Sequence, residues 1–247
     1  MVYYHSKSKS DKISMKDRQQ ELLQLVVENH IITAEPIGSR FLLSQSNLNC
    51  GEATVRNDLR ALEEEGYLIQ PHTSAGRIPT EKGYRFFVEN SKLKKIAKIN
   101  NKENDVLGMS LGKDKDDDYF QTRKNLAKSL AELSQEAVLL AFNLNSVYYT
   151  GLSNLFAKPE LKQLNEVVDI SQVFDHCEDC LQEFLDEVEE DVSVYFGKDH
   201  PFGRMLSVVS VPFENKNKEQ GLIMIMGLQR MDYKHNYALL KKVKELI

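Results

Sequence analysis

The chain has 247 residues, 41% of them hydrophobic and 28% charged, a balance that excludes wholesale disorder, collagen and a disulfide scaffold. The longest clean apolar run near the end, 222–226, falls far short of the roughly 20 residues a membrane helix needs. The polar start MVYYHSKSKSDK has no apolar signal core, so neither a membrane span nor secretion is expected. Three cysteines cannot all pair and suit a reducing cytoplasm. The net charge of -5 is unevenly spread: residues 1–100 hold 15 Lys and Arg against 12 Asp and Glu, and residues 101–247 hold 17 against 25. Only the front is electrostatically suited to nucleic acid.

In chain order, 1–14 reads as a flexible polar tail. Leu22, Leu23, Leu25, Val26 and Val27 give one face of a helix over 15–30. Pro36 suits a first helical position, so a short helix is expected over 36–43, followed by turn-rich 44–51. A third helix is expected over 52–65, with Val55, Leu59 and Leu62 as its buried stripe and Gly66 as its stop. Residues 67–70 and 77–79 read as a short hairpin around Thr73-Ser74-Ala75-Gly76, and Thr80 as the cap of a helix over 81–90. The block 15–90 is therefore helix, helix, turn, helix, hairpin, helix. Residues 91–118 are basic, then strongly charged, and read as a linker. The block 119–247 reads as an α+β sheet domain, with helices over 120–136, 169–190 and 233–246 and strands over 138–142, 192–196, 205–211 and 222–226.

Two short helices around a turn, followed by a hairpin, make a winged helix-turn-helix with the third helix as reader. With Leu59 at the buried centre, a step of about 100° per residue turns Ala53, Asn57, Arg60 and Glu64 outward, with Thr54 and Arg56 on the flanks. Arg can bond guanine bidentately, Asn can bond adenine, and Ala or Thr can touch a thymine methyl. The hairpin offers His72, Thr73, Ser74 and Arg77 to phosphates or the minor groove. The blander reading is a solvated face on which Arg56 pairs with Glu52 and Arg60 with Glu64.

The run Ala53-Thr54-Val55-Arg56-Asn57-Asp58-Leu59, then Gly66-Tyr67-Leu68, then Pro71-His72-Thr73-Ser74-Ala75-Gly76-Arg77-Ile78-Pro79-Thr80 and Lys82-Gly83-Tyr84-Arg85 closely resembles the family of the heat-inducible transcription repressor HrcA. Glu35-Pro36-Ile37-Gly38-Ser39-Arg40 fits its front. Gly151-Leu152-Ser153-Asn154-Leu155, Lys158-Pro159-Glu160 and Gly227-Leu228-Gln229-Arg230-Met231-Asp232-Tyr233 look like its rear signature. The resemblance implies a winged helix, a GAF-like rear domain and an inserted dimerisation segment. It further implies a cytosolic bacterial repressor of chaperone operons that binds an inverted-repeat operator as a homodimer. The chaperonin GroEL would keep it active until heat diverts that chaperonin to unfolded clients. No cofactor is implied, and Arg85 joins the expected DNA contacts. This chain departs from the family in length: 138–145 runs almost directly into 146–150, where members carry a long middle segment.

Other features have competing readings. A GAF-like rear domain that senses a small ligand is the alternative regulator, by analogy of fold alone. Cys177 and Cys180 with His176 offer too few zinc ligands and read as a helical pair, and Cys50 reads as structural. Asp114, Asp116, Asp117 and Asp118 lack the glycine and terminal glutamate of a calcium loop. Arg230 and Asp232 read as a buried structural ion pair. There is no P-loop, nucleophile elbow or HExxH, so no enzyme is expected.

Overall fold

The computed structural model describes residues 17–45, 50–91, 98–111 and 119–247. The expected tail, the acidic run 114–118 and residues 46–49 of the expected turn lie outside these. The front block is α1 (Asp17–Thr33), α2 (Ser39–Gln45), α3 (Glu52–Glu64), a hairpin of β1 (Leu68–Ile69) and β2 (Ile78–Pro79), and α4 (Glu81–Asn90). The apolar stripe of α3 is buried as its spacing requires, with Val55, Leu59 and Leu62 against Leu22, Leu23 and Val26 of α1 in one core. Gly66 takes the left-handed conformation at φ 77°. There Tyr67 N donates to Leu62 O and Gly66 N to Glu63 O, a paired closure that satisfies the last carbonyls of the helix. Thr80 caps α4 by accepting from Gly83 N.

The second block begins earlier than its charge pattern suggests. Within the expected linker, α5 (Asn101–Ser110) starts at a reciprocal capping box between Asn100 and Glu103 and buries Leu107 completely. After α6 (Tyr119–Ser134) come β3 (Ala137–Asn143), β4 (Ser146–Thr150), α7 (Leu152–Phe156), α8 (Leu164–Asp175), α9 (Cys177–Phe184), β5 (Ser193–Phe196), β6 (Leu206–Glu214), β7 (Gln220–Leu228) and α10 (Tyr233–Leu246). The helix expected over 169–190 is two helices, broken at His176 and finished at Phe184.

The five strands form one antiparallel sheet in the order β4-β3-β7-β6-β5, which fits the expected α+β, GAF-like class. Both of its faces are covered. Val138, Leu140, Ile223, Ile225, Val209 and Val211 pack towards α6 and α10. Leu139, Leu222, Met224, Met226, Leu206 and Val208 pack towards α8 and α9. Double burial explains why these strands read as continuous apolar runs rather than alternating ones. The connection from β3 to β4 is a tight hairpin at Leu144-Asn145, where Asn145 N donates to Asn143 Oδ1. The long middle segment that the family resemblance implies therefore has no place between these strands.

The two blocks share one core. Tyr84 of α4 and Tyr233 of α10 meet with ring centroids 5.9 Å apart, and both are buried. Around them lies a polar joint. Arg230 pairs with Glu160 and donates to Ile31 O in the last turn of α1, 2.9 Å away. There it satisfies a helix-end carbonyl and complements the negative end of the dipole. The expected Arg230–Asp232 pair does not form, because Asp232 turns away to cap α10 by accepting from His235 N. Glu136, almost fully buried, holds Lys158 at 2.7 Å. Lys234 reaches Glu28, and Arg85 reaches Asp199 at 2.5 Å. His30 Nδ1 and the Tyr84 hydroxyl share a hydrogen bond of 2.7 Å inside the joint.

Burial pushes the His30 imidazole down to about 4, and the nearby Arg230 charge acts in the same direction. Burial pushes the Glu136 carboxyl up to about 7, against the pull of Lys158. Their effects on stability are opposite. A group with a lowered folded pKa adds stability as pH rises, here from about 4 to the ordinary 6.5 of His30. The raised Glu136 loses its contribution as pH climbs from the ordinary 4.5 to about 7. Replacing His30 by Gln removes only the first limb. His30→Gln, compared with the parent, is therefore expected to be less destabilised at pH 5 than at pH 7, by about 2 kcal/mol. Urea denaturation at the two pH values measures the difference, and an equal penalty at both would show that His30 is not held neutral.

Candidate nucleic-acid interface

Helix α3 and the wing enclose an open groove of about 870 Å³. Its floor is set by a close backbone approach. Ile37 and Arg77 exchange two backbone hydrogen bonds of 2.9 and 2.8 Å, so the chain before α2 is tied to the wing by a single antiparallel bridge. This needs Gly76, because a Cβ there would lie 2.4 Å from the Ile37 carbonyl carbon. The tip of the wing is held by Gln70, whose side-chain amide donates to Thr73 O and Ala75 O, both at 2.9 Å. On the other side, Asp58 is buried on the inner face of α3 and takes a two-pronged bond from Arg18 of α1, at 2.6 and 3.2 Å. Bidentate geometry of this kind fixes the rotation of a helix as well as its position.

Of the residues expected to meet DNA, Arg56, Asn57, Arg60, Thr73, Ser74 and Arg77 line this groove. Asn57 and Arg60 are exposed on its helix wall, and Thr73 and Ser74 on its wing wall. Ala53 is exposed and Thr54 half-buried on the first turn of α3, and His72 is exposed at the wing turn. Arg77 is braced inward, its Nε 2.9 Å from Glu63 Oε2 and its side chain only 17% exposed. Arg85 does not join the set. It faces the rear domain, where it pairs with Asp199 and Glu81 and lies over the Phe196 ring. Its carboxylate partners, which outweigh burial, raise its pKa further. Arg85 is a joint residue, and its position on the inner face of α4 takes it away from the groove.

The ion pairs of the blander reading are present. Arg56 lies 2.6 Å from Glu52, and Arg60 lies 3.4 Å from Glu64. Both are solvent-exposed pairs, worth about 0–1 kcal/mol. A bidentate contact with a base is worth about 1–3 kcal/mol and a hydrogen bond to a charged group such as a phosphate about 1.5–3 kcal/mol, so DNA can displace them. Four residues of the site escaped sequence reasoning. Gln70 and the Arg18–Asp58 pair give no local signal, since their partners lie across a loop or 40 residues away. Gly76 was read only as turn chemistry. Elsewhere, Cys177 is buried and Cys180 half-buried on the first turn of α9, both thiols raised by burial. No helix among the described residues is long and apolar enough to cross a membrane.

A winged helix-turn-helix seated on a two-faced antiparallel sheet defines a two-domain winged-helix protein of the α+β class. Residues 21–87 match the ribonuclease R winged-helix domain, and residues 85–236, more than half of the chain, match the HrcA protein C-terminal domain. The chain belongs to the HrcA family. A relative from Frankia casuarinae, Heat-inducible transcription repressor HrcA, is 57% identical over 75 residues, 30% of this chain and 22% of that one. One of the same name from Caldanaerobacter subterraneus is 28% identical over an alignment of 319 residues, which takes in 89% of this chain and 92% of that one. That alignment is longer than this chain, so the relative holds sequence that this chain lacks. For several other relatives the match spans 22–52% of their length. A crystal structure described as a hypothetical protein superposes with a TM-score of 0.74 at 21% identity, over 94% of this chain and 97% of that one. This last likeness is one of fold.

The tight packing under the wing gives a direct test. Gly76→Ala is expected to destabilise the protein by about 1–3 kcal/mol, the usual cost of overpacking. Gly38→Ala, where an added Cβ meets nothing within 4 Å, is the control and is expected to change little. The urea midpoints of the two variants decide it.

Proposed function

We propose that this protein is a DNA-binding transcriptional repressor of heat-shock operons. The observation that carries this reading is the groove between α3 and the wing, lined by exposed Asn57, Arg60, Thr73 and Ser74, in a member of a family whose curated relatives are called heat-inducible transcription repressors. The helix enters the major groove of DNA, where Asn57 and Arg60 meet base edges and Ala53 allows close approach. Thr54 and Arg56 on the flank of the helix, with His72, Thr73 and Ser74 on the wing, meet the sugar-phosphate backbone. Arg77 supports the wing from below and adds its charge once Glu63 releases it.

On this reading the repressor acts in the bacterial cytosol as a homodimer on an inverted repeat, the symmetry of the operator matching that of the protein. A GroEL-type chaperonin helps it to hold its DNA-competent fold, and heat releases it by drawing the chaperonin away. The rear sheet domain provides the dimer contacts and the sensing. Its acidic surface opposes non-specific wrapping by DNA.

Fluorescence anisotropy tests the reading with a labelled inverted repeat from a chaperone promoter and a scrambled duplex, at two salt concentrations, with and without GroEL. Tighter binding to the repeat, improved by GroEL, is the expected result. Equal, salt-sensitive binding to both duplexes would remove the operator assignment. In the same assay Asn57→Ala and Arg60→Ala are each expected to lose about 1–3 kcal/mol on the repeat and little on the scrambled duplex. Arg85→Ala is expected to leave base discrimination intact, because its partners Asp199 and Glu81 lie in the joint and not in the groove.

A further inference from the structure

One carboxylate in the groove has an unusual set of neighbours. Glu52, on the first turn of α3, receives the Ser39 hydroxyl at 3.2 Å, Arg56 Nη2 at 2.6 Å and Arg40 Nε at 3.4 Å. Arg56 Nε also points at the Ser39 hydroxyl, 3.4 Å away. A hydroxyl and two guanidinium groups from two helices thus converge on one anion, and all of these residues line the groove. Arg40 and Arg56 stay 86% and 63% exposed, so their charges are open to a ligand from outside.

We propose that Ser39, Arg40 and Arg56 form a binding site for a backbone phosphate of DNA, and that Glu52 fills this site in the free protein as an internal stand-in for that phosphate. This inference rests on the DNA-binding reading and assigns a role to Ser39, Arg40 and Glu52 within it. A phosphate and a carboxylate make the same demands on the site: negative oxygens spaced for a guanidinium fork and a hydroxyl donor. Ser39 and the Ser39-facing edge of Arg56 place the site at the junction of α2 and α3, beside the outward face that carries Asn57 and Arg60. A phosphate that enters must displace Glu52, and the displaced carboxylate then repels the DNA. Burial works against the Glu52 anion, but the Ser39 hydroxyl and the Arg56 and Arg40 charges outweigh it and hold its carboxyl below the ordinary range. The competitor is therefore charged at any physiological pH. It lowers affinity for duplexes of every sequence alike, because a phosphate is present at this place in all of them.

The test is Glu52→Gln in the full chain. The variant is expected to bind the inverted repeat and the scrambled duplex each about fivefold more tightly, the scale of one exposed ion pair. Its plot of log affinity against log salt should steepen by about one. Adding Arg40→Ala to the variant should remove most of both gains. A variant that weakens on the repeat and is unchanged on the scrambled duplex would mean that Glu52 reads a base, and would overturn the proposal, as would unchanged affinity and slope on both. Inorganic phosphate gives a readout without DNA: it should raise the melting temperature of Glu52→Gln more than that of the parent or of the double variant. If neither protein binds any duplex while phosphate still distinguishes them, the DNA reading falls and the anion site stands. If phosphate does not distinguish them either, the anion site falls.

Discussion

The architecture depends on a single guanidinium. Arg230 sits at the end of β7, grips Glu160 from the segment after α7 and satisfies a carbonyl at the end of α1. It thereby joins the sheet, the chain beyond β4 and the first helix of the winged helix. A residue in this position has to be charged, forked and bonded on several sides, since an incompletely paired charge in such a place costs several kcal/mol. The remaining groups of the joint follow from its presence. Burial, helped by its positive field, keeps His30 neutral, and the neutral ring can then share a hydrogen bond with Tyr84 without an unpaired charge in the core. Glu136 lies under the same field but is dominated by burial. Lys158, Glu160 and Arg230, which belong to the segments that carry the family likeness in the rear half, all belong to this joint. Their role here is to position the winged helix on the sheet.

The recognition face shows a second balance. Arg56, Arg60, Arg77 and Arg40 all face the groove, and each has a glutamate within ion-pair distance. The front of the chain is only mildly basic for this reason. A groove of bare arginines would bind any DNA through phosphates alone. Arginines held by nearby glutamates stay ordered and soluble, at a cost small enough for base contacts to offset. The pairs differ in depth. Those of Arg56 and Arg60 are at the surface, whereas Arg77–Glu63 is partly buried and ties wing to helix, so it acts as a brace as much as a contact.

Much of this was legible locally. The stripe Val55, Leu59, Leu62, the stop at Gly66 and the cap at Thr80 fix α3 and α4 because each signal lies within a few residues of the element that it sets. The same periodicity turned Asn57 and Arg60 outward, and both line the groove. Where the reading failed, the deciding partner was distant. Charge density made 91–118 look like a linker, but α5 has its own capping box and one leucine, Leu107, that finds a complete pocket. Arg85 stands in the run Lys82-Gly83-Tyr84-Arg85 that carries the family resemblance, which implies a DNA contact; Asp199, 114 residues away, takes it into the joint. Arg230 seemed matched to its near neighbour Asp232, which instead caps α10.

The sequence by itself determined the order of elements, the winged helix, the outward face of α3 and the family, all of which rest on periodicities and turn chemistry that act over short spans. The tertiary structure decided which charges are spent on holding the protein together and which are left in the groove. A guanidinium has five donors and no preference in sequence for any one carboxylate, so its partner is settled only when the fold brings one within reach.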